Sequence, residues 1–157
     1  MSTTVADRIE VDRPVDMVYN QWTQFEEFPR FMGGVESVRQ LDDLTLHWQA
    51  RIGGVSREWD ARITEQQPDQ RIAWESTTGA TNRGVVSFRP ITADRTEIEL
   101  QLEFEGEGLL EKAGEKLGLV ESQARSDLER FKQYIEGLRG ETGSWRGEVR
   151  NGETGPH

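Results

Sequence analysis

The chain has 157 residues, enough for one domain with a sizeable core, and a hydrophobic fraction of 34% obliges that core to be economical. Its 29 acidic and 19 basic residues leave a net charge of -10, a field that repels phosphate backbones and anionic bilayers and argues against nucleic acid as a partner. With no cysteine, disulfides, thiolate metal sites and a cysteine nucleophile are excluded.

Asp7, Arg8 and Glu10 stand where a secretory signal needs an apolar core, and no run approaches the ~18 apolar residues of a membrane span. A cytoplasmic protein without stable membrane insertion, monomer or homodimer, is therefore expected. Val5, Ile9 and Val11 alternate with polar residues over Thr4 to Val11 and predict a first strand, ended by Asp12-Arg13-Pro14. Pro14 suits the first turn of a helix, and Val15, Val18, Tyr19 and Trp22 then keep i, i+3, i+4, i+7 spacing. A second short apolar cluster, Phe25, Phe28, Phe31 and Met32, is bounded by Gly33-Gly34, so two small helices should follow the first strand.

From Val35 the period changes to two. Strands are predicted at Val35–Leu41, Leu44–Ile52, Val55–Thr64, Arg71–Thr77, Arg83–Pro90 and Thr96–Phe104. Gly53-Gly54 suits a two-residue hairpin turn. The inward sets are Leu44, Leu46, Trp48, Ala50 and Ile52; then Val55, Arg57, Trp59, Ala61 and Ile63; then Ile72, Trp74 and Ser76; then Val86 and Phe88. In the last strand Ile98, Leu100, Leu102 and Phe104 share one face and Glu97, Glu99, Gln101 and Glu103 the other. Gly106-Glu107-Gly108 lacks the third glycine and the parallel context of a nucleotide loop and is taken as a joint.

Leu109 to Arg139 is the longest helical pattern. Leu110, Ala113, Leu117, Val120, Ala124, Leu128, Phe131, Ile135 and Leu138 form one apolar stripe, backed by a mixed charged face. No second long helix exists for that stripe to pack on, so it must lie across the sheet, which makes the fold α+β. Gly114 and Gly118, one turn apart, either bend the helix or pack it loosely. Gly140 ends it, and 140–157, rich in glycine and without a period, is expected to be a disordered tail on a domain spanning 1–139. Trp145 makes that tail a candidate docking tag for a partner.

The order strand, two short helices, six strands, long helix resembles the helix-grip fold of the START, Bet v 1 and polyketide cyclase (SRPBCC) superfamily. Among its members the chain is most similar to the bacterial polyketide cyclase/dehydrase or coenzyme-Q-binding-like proteins. The likeness rests on Ile9 to Tyr19, on Phe25-Glu26-Glu27-Phe28-Pro29-Arg30-Phe31-Met32 and on Asp127-Leu128-Glu129-Arg130-Phe131-Lys132. It implies a curved antiparallel sheet of about seven strands wrapped around the C-terminal helix, with a ligand cavity between them.

Trp48, Trp59 and Trp74, inward on three consecutive strands, suit a flat or isoprenoid ligand, or serve simply as core. Arg57 shares their face, where a guanidinium binds a carboxylate or phenolate, or polarises a carbonyl; a surface salt bridge is the plain alternative. Ser76, Phe88 and Leu117 complete the candidate lining. The parity of His47 sends it outward, so a histidine general base is not expected, nor is a metal or a cofactor. The expected function is binding of a hydrophobic or aromatic small molecule: lipid, quinone or polyketide-like. One alternative is a polyketide aromatase/cyclase or dehydratase with Arg57 as its electrophile, and another is an interaction module whose cavity has collapsed.

Overall fold

Strict alternation from residue 35 onward becomes an antiparallel sheet. The computed structural model describes the backbone of residues 2–52, 55–79, 82–105 and 113–154, and the side chains of 4–51, 56–79, 82–103 and 122–154. The strands are β1 (Ser2–Val11), β2 (Val35–Gln40), β3 (Thr45–Ile52), β4 (Val55–Gln67), β5 (Arg71–Ser76), β6 (Asn82–Thr92) and β7 (Arg95–Glu105). Hairpin neighbours pair from β2 to β7, and β1 returns to the edge beside β7, giving the order β1-β7-β6-β5-β4-β3-β2. Inward positions are buried as their parity requires: Leu46, Trp48 and Ala50 on β3, Trp59, Ala61 and Ile63 on β4, Val86 and Phe88 on β6, Ile98 and Leu100 on β7. The Gly53-Gly54 turn and the Gly106 to Gly108 joint lie outside the described residues.

Three register shifts interrupt the ladders, one of them between Val35 and Ser37 on β2. A register shift between Ile63 and Glu65 reverses the parity of β4, so Gln66 rather than Glu65 is buried. Another, between Pro90 and Thr92, lets β6 continue past a proline that has no N–H to give the ladder.

The segment Val15–Trp22 forms helix α1, and Phe25–Arg30 forms a 3₁₀ helix. At three residues per turn, Phe25, Phe28 and Phe31 line up on one side, and all three are buried. Helix α2 (Ala113–Glu136) buries Ala124, Leu128, Phe131 and Ile135, the C-terminal half of the predicted stripe. It runs beside β1: Lys132 donates to the Glu10 carbonyl (3.0 Å), the Asp12 N–H donates to Glu136 (2.8 Å), and Arg125 pairs with Asp7 (3.2 Å). Asp127 accepts the Gly33 N–H (3.0 Å) and Gln123 (2.7 Å), tying the 33–34 loop to α2. Burial pushes its carboxyl above the usual range, although both donors oppose that. Gly114 and Gly118 fall in α2 where the surrounding side chains are outside the described residues.

The C-terminal reading needs correction. Regular helix stops at Glu136, with Gly137 following, rather than running to Arg139. The Arg13 guanidinium takes up the last-turn carbonyl of Glu136 and approaches that of Leu138. Residues 141–154 are ordered against the body instead of forming a disordered tail. Two short strands, β8 (Val149–Arg150) and β9 (Glu153–Thr154), make a hairpin, and Val149 pairs with Gln66 where β3 no longer accompanies β4. Val149 is fully buried and Trp145 packs on the core, which removes it as a freely presented docking tag.

What holds this segment is the polar face of α1. Asn20 donates to Glu141 (2.7 Å) and accepts from Arg146 (2.6 Å); Gln21 exchanges two hydrogen bonds with Thr142; the Thr23 hydroxyl accepts the Trp145 N–H (3.1 Å). Arg146 also lies over the Tyr19 ring at 5.4 Å and pairs with Asp69 at 2.8 Å. Tyr19 is buried beneath, and that burial pushes its hydroxyl up to about 12.

Candidate ligand-binding site

The inner face of the sheet converges on three indoles. Trp48 and Trp59 are direct cross-strand partners of β3 and β4, and their rings stack at 5.9 Å with planes 5° apart. Trp74 on β5 lies against Trp48 at 5.8 Å and 27°. Its indole crosses β6 at Gly84, its register partner, where a Cβ would stand 2.5 Å from Trp74 Cζ2. Glycine is required there by that close approach. Gly84→Ala is expected to cost about 1–3 kcal/mol, as for an overpacked core, and to shift tryptophan emission. Urea denaturation checks this, and unchanged stability would mean the ring swings aside freely.

The 3₁₀ helix covers the wall. The Phe28 ring sits 5.8 Å from Trp48 and 6.1 Å from Trp74, and Phe25 meets Trp74 edge-on at 6.5 Å. Trp48 and Trp74 are each 4% exposed and Trp59 9%, so the first two are covered and Trp59 stands at the margin of the cluster. The i, i+3 spacing of Phe25 and Phe28 is the sequence signal that they share a face, and the 3₁₀ turn carries that face onto the tryptophans.

The wall is apolar in area but not in chemistry. The indole N–H groups of Trp22, Trp48 and Trp59 are buried and have no hydrogen-bond acceptor among the described residues.

The other predicted lining residues divide. Arg57 stands two residues before Trp59 on the same face of β4, half-buried. The half-buried Ser76 hydroxyl accepts the N–H of Asn82 at 3.0 Å, and Asn82 is itself buried. Phe88 is not gathered with the tryptophans: it lies four residues along β6 from Gly84, and its ring meets Tyr19 edge-on at 5.4 Å. Leu117 falls within α2, but its side chain is outside the described residues.

His47 does point outward. Its Nδ1 lies 2.6 Å from Asp60 and its Nε2 2.6 Å from Glu58, and these two hydrogen bonds hold its pKa above the ordinary value. Among the described residues no group of three or more His, Cys, Asp or Glu side chains gathers as a metal would need, and no helix is long and apolar enough to cross a membrane. A groove of about 540 Å³ is lined by Arg62, Thr64, Trp74, Glu75, Arg83, Gly84 and the β8–β9 turn at Asn151 and Gly152.

Comparison with known proteins agrees with this architecture. Residues 11–133 match the family model described as polyketide cyclase/dehydrase and lipid transport. An uncharacterized 17.2 kDa protein of Streptomyces lincolnensis, from its melC2-rnhH intergenic region, is 50% identical over 146 residues, 92% of this chain and 97% of that protein. The ZhuI aromatase/cyclase of Streptomyces sp. R1128 superposes with a TM-score of 0.72 at 18% identity, over 87% of this chain and 94% of that one. A START superfamily protein of Mycobacterium smegmatis gives 0.68 at 18% identity, over 85% and 94%. Sheet order, long closing helix and a family match that spans most of the domain lead to one assignment: the chain belongs to the polyketide cyclase/dehydrase and lipid transport family, with the START-like helix-grip fold.

Proposed function

We propose that the chain binds a flat hydrophobic small molecule between the inner face of the sheet and α2, with Trp59 as the ring the ligand meets. The observation that carries this reading is the graded tryptophan wall, two rings covered by Phe25 and Phe28 and the third at the margin of the cluster. The family's description, which names both lipid transport and cyclase or dehydrase chemistry, supports hydrophobic ligand binding in general terms. Binding is favoured over turnover because His47 is engaged by Asp60 and Glu58 on the opposite face. Arg57, half-buried on the face of Trp59, supports a second reading as the electrophile of a cyclase or dehydratase.

Titration with 2-methylnaphthalene, followed by tryptophan emission and equilibrium dialysis, tests the first reading. Saturable binding is expected, and Trp59→Ala should weaken it by about 10-fold, near 1.4 kcal/mol, with a smaller loss of folding stability. Equal losses in affinity and stability would return Trp59 to the core. Turnover of a poly-β-keto substrate mimic that vanishes in Arg57→Ala would instead establish the second reading.

A further inference from the structure

We propose that His47 is a positioning residue: its imidazolium staples Glu58 and Asp60 on the outer face of the sheet, directly behind the Trp48–Trp59 stack, so that the seating of Trp59 depends on one proton. The staple itself is independent of any ligand, and only its effect on binding rests on the reading above.

Strand register fixes the arrangement. His47 pairs with Asp60, Trp48 with Trp59 and Gln49 with Glu58. Trp59 is thus flanked in the chain by the two carboxylates that His47 holds, and Trp48 directly follows His47. Successive residues of a strand point to opposite faces, which puts the indole pair on the inner face and the charged bridge on the outer one. Nδ1 of His47 lies 2.6 Å from Asp60 and Nε2 2.6 Å from Glu58. An ionised carboxylate only accepts, whereas a neutral imidazole has a single N–H to give. Both contacts are hydrogen bonds only when both ring nitrogens carry protons, and the ring is then a cation.

The acceptors are held from elsewhere as well. Gln49 donates to Glu58 (3.4 Å), while the Asp60 N–H donates to the Thr78 hydroxyl (2.9 Å) and the Asp60 carbonyl accepts the Thr77 N–H (2.7 Å). The cations on this face are Arg39, register partner of His47 on β2, and Arg62, two residues beyond Asp60 on β4. Both oppose a proton on His47, although Arg62 is engaged by the Gly152 carbonyl. The hydrogen bonds to Asp60 and Glu58 prevail: they hold the His47 pKa above its ordinary value, and the bond from His47 holds Glu58 below its own. Because the shift belongs to the folded state, the tie is fully present below about pH 6.5 and is lost as pH rises through the folded value. With that proton gone, one carboxylate loses its donor and β4 loses a cross-strand tie behind Trp59.

2-Methylnaphthalene has no titratable group, so any pH dependence of its affinity belongs to the protein. That affinity is expected to fall about 2- to 3-fold as pH rises through the His47 titration, the scale of an exposed charge pair. The near-UV circular dichroism of the tryptophans should change with the same midpoint. The midpoint is read from the ¹⁵N resonances of the imidazole, assigned by their absence in His47→Gln. His47→Gln should show the weaker affinity at every pH and lose the near-UV change, and Glu58→Gln and Asp60→Asn should each lower the midpoint. Titration of His47 at the ordinary imidazole value would overturn the staple, as would a near-UV signal that ignores the titration or keeps its pH dependence in His47→Gln. If 2-methylnaphthalene does not bind, the binding reading falls, and the imidazole and near-UV measurements still decide the staple.

Discussion

Phe28→Ala is expected to lower folding stability by about 3–5 kcal/mol, the upper range for a single buried side chain. Phe28 is fully buried, and its ring lies within 6.1 Å of five others: Trp22, Phe25, Phe31, Trp48 and Trp74. It is the hub through which the 3₁₀ helix, α1 and two strands of the sheet meet. Truncation to alanine leaves a cavity walled by rigid rings that cannot collapse into it, so the cavity cost adds fully to the lost transfer energy. Leu41→Ala is the control, since Leu41 is 52% exposed and should change stability by less than about 0.5 kcal/mol. A urea midpoint for Phe28→Ala within about 1 kcal/mol of the parent would show that the cluster is looser than its geometry.

Truncation after Gly140 is expected to cost a comparable amount, about 3–6 kcal/mol. It uncovers the site of Val149, worth about 1.5–3 kcal/mol by itself. It also strips Asn20, Gln21 and Thr23 of the hydrogen-bond partners they have in residues 141–146. Should the truncated chain fail to fold, the full-length Val149→Ala and Arg146→Ala variants keep the idea testable; each should lower the urea midpoint, with Val149→Ala the larger. An unchanged midpoint in all three would mean that the segment rests on the surface without contributing.

These two regions mark the limits of what the sequence discloses. The sheet was legible because period two persists over six segments and a single parity error would have exposed Trp48, Ile63 or Ile98. The aromatic wall was legible for the same reason, since three inward tryptophans on consecutive strands must be neighbours. Gln66 was not legible, because one extra residue at the bulge reverses parity without leaving a compositional trace. The 141–154 segment is not legible, since its hairpin has two residues per strand, too few for any period, and its anchors are polar side chains at the end of α1 that would suit solvent equally well. Asn20, Gln21 and Thr23, together on a helix end that is otherwise buried, were the available sign that something covers it.

The pairing of Gln66 with Val149 has a consequence for how the chain is made. During synthesis at about 5–20 residues per second, the roughly 80 residues separating these partners take about 4–16 s to emerge. Throughout that interval the far end of β4 presents unpaired backbone groups on one side, a template for other nascent chains. β1 waits in the same way for β7, its only partner in the sheet among the described residues. Of the strand edges that wait for a later partner, the one on β4 closes last. A ribosome-associated chaperone that shields extended segments would act on this chain chiefly between the emergence of β4 and that of β8.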